Sequence, residues 1–185
     1  MPILGIIASS KFGDAGDFES IATVSVGSGG AANVEFTSIP STYSHLQIRA
    51  FARSTRTEVQ DYMDVRLNND SGANYSYHFL QGDGSVTQAG GSVSLNQAYS
   101  SYIAGGNSTS GVFGVNILDI LDYSSTNKNK TFRFLGGFDN NGSGRIAMMS
   151  DLWMNTNAVT SVKLSPSTGS FSQYSQFALY GIRSA

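Results

Sequence analysis

The chain contains no cysteine, which removes disulfide frameworks, thiolate metal sites and cysteine nucleophiles from consideration and says little about compartment. Charge is scarce as well: Asp, Glu, Lys and Arg make up 13% of the 185 residues, about half the usual share. The eleven basic residues are scattered singly and the formal net charge is -2. That leaves no electrostatic footprint for nucleic acid and no polybasic segment suited to an anionic membrane. Long apolar runs are missing too. The one near a terminus, Ile3-Leu4-Gly5-Ile6-Ile7-Ala8, falls far short of the ~20 residues that span a bilayer. The first cation, Lys11, follows this run instead of preceding it, against the order of a secretory signal.

What remains is a polar, neutral chain with a substantial core. Hydrophobic residues reach 40% and aromatics 11%, which argues against disorder despite 21 glycines and much Ser, Thr and Asn. Folding a chain of 19.6 kDa hides roughly 70% of its extended surface. One domain without crosslinks is therefore expected, preceded by a short arm.

Helical periodicity is nearly absent; short apolar-polar alternations are separated by Gly, Asn, Asp and Ser clusters, the pattern of strands and turns. Ala22, Val24 and Val26 share one face of a first strand. Gly27-Ser28-Gly29-Gly30 then reads as a hairpin turn into a return strand carrying Val34 and Phe36. Leu46, Ile48, Ala50 and Ala52 form an inward set opposite Gln47, Arg49, Phe51 and Arg53; Met63, Val65 and Leu67 form the next. Asn68 to Gly72 predicts a turn before a strand from Tyr75 to Leu80. From Gln81 to Gly111 only Tyr99 to Ala104 reads as a strand. Val112 to Tyr123 reads as a strand buried on both faces. Thr131 to Leu135, the turn Asp139 to Gly144, a strand from Arg145 to Met154, a short strand around Val162 and Leu164 ended by Pro166, and a closing strand from Phe177 to Arg183 bring the total to about ten. The fold class predicted is all-β: an antiparallel, jelly-roll-like β-sandwich over residues 18–185, with residues 1–17 as an N-terminal arm.

Candidate chemistry is sparse. His45 and His78 stand apart, without metal-ligand spacing. Asp61 and Asp64, and likewise Asp119 and Asp122, lie three apart, which in a strand points them to opposite faces. Asp139-Asn140-Asn141-Gly142-Ser143 lacks the terminal carboxylate of a calcium loop and suits a tight turn. No cofactor or metal is expected, and no enzymatic activity. Tyr75, Tyr77 and Phe79 share one strand face and, with Tyr99 and Tyr102, read either as core or as an exposed platform for sugar rings or a subunit. On the closing strand Phe177, Leu179 and Gly181 share one face; Tyr180 lies on the other, a candidate subunit contact. Ile3, Leu4, Ile6 and Ile7 read as a docking arm, with a first strand of the sandwich as the alternative.

Three segments carry a resemblance. Val159-Thr160-Ser161-Val162-Lys163-Leu164, followed by Ser175-Gln176-Phe177-Ala178-Leu179-Tyr180-Gly181-Ile182, resembles the ending of many tailed-bacteriophage virion proteins. Phe36-Thr37-Ser38-Ile39-Pro40-Ser41-Thr42-Tyr43-Ser44-His45-Leu46-Gln47-Ile48-Arg49 is similar to a second segment of that group. The opening Met1-Pro2-Ile3-Leu4-Gly5-Ile6 is similar to openings in marine and cyanobacterial phages. The resemblance implies a jelly roll assembling as a homotrimer on the virion. Its expected partners are other virion proteins, either the major capsid protein or a tail or fibre component. Capsid decoration or head fibre is the leading expectation, a tail fibre contacting host surface glycans the second, and a jelly-roll carbohydrate-active enzyme a distant third.

Overall fold

The computed structural model describes residues 17–183, which form twelve strands and no helix. In chain order they are β1 (Phe18–Ser25), β2 (Val34–Phe36), β3 (His45–Ala52), β4 (Gln60–Leu67), β5 (Tyr75–Gly82), β6 (Thr87–Leu95), β7 (Ala98–Ala104), β8 (Gly114–Ile120), β9 (Lys130–Asp139), β10 (Gly144–Trp153), β11 (Val162–Pro166) and β12 (Gln176–Ile182). Two antiparallel sheets result, one of eight strands in the order β1-β12-β3-β8-β9-β10-β5-β6 and one of four in the order β2-β11-β4-β7. They pack as a β-sandwich.

Alternation decides which residues meet between the layers. Leu46, Ile48 and Ala50 of β3, Leu118 and Ile120 of β8, Phe132 and Phe134 of β9, and Phe177 and Leu179 of β12 are all buried. Facing them from the smaller sheet are Met63, Val65 and Leu67 of β4, Val162 and Leu164 of β11, and Val34 and Phe36 of β2, equally buried in the same core. Lys130 is a buried cation in this frame: its Nζ donates to the carbonyl oxygens of Ser125, Lys128 and Thr156 at 2.7, 2.7 and 3.1 Å.

The long-range pairings are nested. β1 pairs with β12, β2 with β11, β3 with β8 and β4 with β7, as in one long ribbon doubled back on itself. The β12–β3 and β11–β4 ladders then roll that ribbon into two layers. The β5–β6 and β9–β10 hairpins are additions that widen only the larger sheet.

Several expectations are corrected. The Gly27–Gly30 turn does not make a hairpin, because β1 and β2 belong to different sheets; the Val26 N–H bonds to the Ser175 carbonyl and the Ala31 N–H to the Phe171 carbonyl, so the chain crosses between layers there. β6 lies in the stretch read as unpatterned, where the glycines Gly90 and Gly91 hid a strand. β8 is covered on one face only, with Val115 exposed between the buried Gly114 and Asn116. The docking-arm residues Ile3, Leu4, Ile6 and Ile7 lie outside the described residues.

Candidate interaction face

Eight strands cannot be covered on both sides by four, and the outer face of the larger sheet has no second layer among the described residues. Its centre is apolar. On β8, Val115 and Ile117 point outward in alternation with the buried Asn116 and Leu118. Ile117 stands opposite Leu135 of β9, which stands opposite Met148 of β10, which stands opposite Leu80 of β5. The next row runs from Phe51 of β3 to Val115, then Gly137, then Ile146. Leu80, Val115, Leu135, Ile146 and Met148 are each 50–63% exposed and Phe51 is 45% exposed. Phe51 also stacks on Phe113, with ring centroids 4.7 Å apart.

Gly137 gives this band its relief. It stands between Val115 and Ile146 with no side chain, and a β-carbon there would collide with the Arg145 carbonyl oxygen. The result is an open hollow of about 690 Å³ floored by Gly136 and Gly137 and walled by Val115, Ile117, Leu135 and Ile146.

One end of the hollow is polar. The Arg145 guanidinium stands 4.8 Å from the centroid of the Tyr102 ring, donates to the Tyr102 hydroxyl at 3.0 Å and lies 3.7 Å from Asp83. The Tyr102 hydroxyl donates to Gln81 at 2.7 Å and sits 3.2 Å from the Tyr62 hydroxyl. Backbone N–H groups of Val86 and Ser85, with Arg145 nearby, hold the Asp83 carboxyl below its ordinary range. Burial, followed by the Tyr102 hydroxyl, pushes Tyr62 up to about 12. The Asp83 carboxyl is therefore held in its ionised form 3.7 Å from the Arg145 guanidinium.

Beyond this rim Arg49, Asp119 and Arg133 border the band. Asp119 stands opposite Arg133 in the ladder and accepts from Gln47 Nε2 at 2.8 Å. Both signs of charge are interspersed there, so the apolar centre is framed without a single-sign field.

The aromatic set read from the sequence is divided by the fold. Tyr75 is fully buried, stacked on Trp153 with centroids 6.3 Å apart, and Tyr102 is buried beneath Arg145. Neither is a surface contact in the chain, because inward alternation on β5 and the two-sheet packing of β7 enclose them. Tyr77 and Phe79 are half-buried on the inner face, Tyr77 meeting Tyr99 edge-on at 5.6 Å. Tyr180 is half-buried on the outer face, stacked on Phe18 at 4.7 Å with Arg49 over the pair. The band residues were not singled out in the sequence. On β8 and β10 their signal is apolar character at both parities, which reads equally as double-sided burial, whereas Phe51 and Leu80 share their faces with polar residues.

Two carboxyls sit oddly inside. Asp151 is 1% exposed and neither oxygen has a well-formed hydrogen bond; burial raises its pKa to about 8, the Tyr99 backbone N–H offsetting only part of that. Asp64 rises to about 7 through burial and then the neighbouring Asp61. Asp61, fully buried on the opposite face of β4, is held by Arg56 at 3.2 Å. The Asp139–Gly144 connection is a tight hairpin, with the Asn140 N–H bonded to the Ser143 carbonyl and Asn141 in the left-handed region at φ 57°. His78 is exposed on β5, while His45 Nδ1 accepts the Asp122 N–H at 3.0 Å.

Comparison with protein-family models finds no match, and no curated protein is similar to the chain.

Proposed function

We propose that this protein is a structural component of the exterior of a tailed-phage particle, a homotrimeric capsid-decoration or head-fibre protein that works by contact and not by catalysis. The observation that carries this reading is the apolar band on the outer face of the larger sheet. A charge-poor chain that leaves six large aliphatic and aromatic side chains side by side in water has a surface built to be covered. The nested strand order supports a jelly roll with two inserted hairpins, the architecture that the resemblance implies. The resembling segments also belong together in space: Phe36–Arg49 runs from β2 into β3, Val159–Leu164 enters β11, and Ser175–Ile182 contains β12, so they form the β2–β11 and β12–β3 ladders.

The decoration reading is favoured over glycan recognition because the exposed band is chiefly aliphatic, whereas Tyr75 and Tyr102 are buried. Sugar rings are held by exposed aromatic faces. Quantifying this chain in purified virions tests the reading. Hundreds of copies per particle are expected for a shell protein; its absence from purified particles overturns the proposal.

A further inference from the structure

We infer that β6, the outermost strand of the larger sheet, pairs edge to edge with β6 of a second copy, antiparallel and about a two-fold axis. The inference deepens the contact reading above, and the contact joins copies whether each stands alone or within the proposed homotrimer.

The edges of the two sheets are the first argument. An edge strand presents a row of unpaired N–H and C=O groups, and chains guard such rows with charge, proline, bulges, brevity or a covering element. β2 is only three residues long. β7 is closed off, since Asn116 Nδ2 of β8 donates to its Tyr102 carbonyl at 3.1 Å and the Ser54 N–H to its Ala104 carbonyl at 2.9 Å. β1 carries Glu19 and has a bulge between Ser20 and Ala22 in mid-strand. β6 has nine residues, bonds to β5 on one side and, among the described residues, to no strand on the other. No Asp, Glu, Lys, Arg or Pro occurs between residues 84 and 118. The one bulge of β6 falls beyond Ser92, so residues 87–92 pair regularly with β5.

Side chains decide the partner. Strand addition takes its affinity from main-chain hydrogen bonds and its specificity from pockets that receive alternate side chains. The centre of β6, Ala89-Gly90-Gly91-Ser92, makes no such pockets and has nothing with which to read a foreign sequence. An identical strand, equally small and uncharged, approaches it without steric or like-charge conflict. Antiparallel pairing also sets the Val86 end of one copy beside the Val93 end of the other, where the two valines are 55% and 69% exposed. Because the contact is isologous, two copies satisfy both edges and the assembly closes there.

Continuity of the apolar band is the third argument. Ala89 stands opposite Leu80, at the end of the row that runs through Ile117, Leu135 and Met148. A two-fold axis perpendicular to the sheets keeps both outer faces on one side. The bands of the two copies then join across β6 into a single platform for the surface they cover.

The full-length chain in light scattering at tens of micromolar should give an even multiple of 19.6 kDa. Ala89→Lys and Val93→Lys should each halve that mass while still melting cooperatively, since both side chains are exposed in the single chain. Thr23→Lys, exposed on the opposite edge strand β1, should keep the parent mass. Ala89→Glu should halve the mass as well, and an equimolar mixture of Ala89→Lys and Ala89→Glu should restore it, because opposite charges meet only when the two strands pair with each other. An odd multiple for the parent protein, the parent mass retained by both Lys variants, or no restoration in the mixture overturns the inference. The two readings fail separately: a protein that decorates particles but keeps its mass in both Lys variants sinks only this inference, and one that pairs through β6 but is absent from purified particles sinks only the proposed function.

Discussion

The ring of Tyr43 lies over Gly181 so closely that a β-carbon on that glycine would overlap three ring atoms. Tyr43 is fixed there from two sides. Its hydroxyl donates to Glu19 at 2.7 Å, which raises the phenol pKa, and the Arg183 guanidinium stands 5.2 Å over its ring and 3.5 Å from the same carboxylate. The contact joins the Phe36–Arg49 segment to the closing strand. The glycine of Phe177-Ala178-Leu179-Tyr180-Gly181-Ile182 thus has a physical reason: it makes the space that the tyrosine of the other segment fills.

Gly181→Ala should therefore lower stability by about 1–3 kcal/mol, the usual cost of overpacking an enclosed site. In a double-mutant cycle with Tyr43→Ala the alanine at 181 should cost much less, giving a coupling of the order of 1 kcal/mol or more between residues in direct contact. Denaturant melts of the four proteins check this. Full additivity would mean that the ring is not what excludes the β-carbon.

The two faces of β12 should respond differently. Phe177 is fully buried against Phe171, with centroids 4.7 Å apart, and Phe177→Ala should cost ~3–5 kcal/mol as a large-to-small core change. Tyr180 stacks on Phe18 of its own chain, so Tyr180→Ala should cost about 1 kcal/mol and leave oligomer mass unchanged. Unfolding midpoints and light scattering read both effects.

Stability should fall as pH rises from 5 to 8. The folded chain holds the Asp151 proton with a pKa of about 8 against an ordinary value of 3.8, so the raised group favours the fold's competitor wherever only the unfolded chain ionises. The penalty is absent below about pH 4, grows through neutrality and is complete above about pH 8, with Asp64 adding to it up to about pH 7. For a group this deeply buried the slope corresponds to roughly 4 kcal/mol over three pH units. Asp151→Asn should flatten most of this dependence in urea melts. An unchanged slope would show that Asp151 finds a partner for its charge.

Lys130→Met should be strongly destabilising although it swaps a cation for an apolar chain of similar length. The ammonium satisfies three carbonyls of the segments 125–128 and 156, and its removal leaves them without donors at a cost of about 2–4 kcal/mol. Loss of amide protection around Ser125 and Thr156 in hydrogen exchange should accompany the lower midpoint.

Much of this architecture was legible in the sequence because a strand's period is local. The inward sets Leu46-Ile48-Ala50-Ala52 and Met63-Val65-Leu67 are buried as their alternation requires, and the Asp139–Gly144 hairpin follows from residues that tolerate a tight turn. The glycine-rich β6 was not legible, since without large side chains it shows no alternation, and its pairing is supplied by β5.

The sequence by itself determined the all-β class, the neutral surface and which side chains share a face. Only the tertiary structure decided which faces are covered. Val115, Ile117 and Leu135 have the composition of a buried face, yet they are exposed or half-exposed because the smaller sheet lies on the other side and has too few strands to wrap around. It likewise placed β1 and β2 in different sheets, since the register of each is set by strands more than a hundred residues away, β12 and β11. Alternation specifies that a strand has two sides; what lies against each is a property of how the whole ribbon closes.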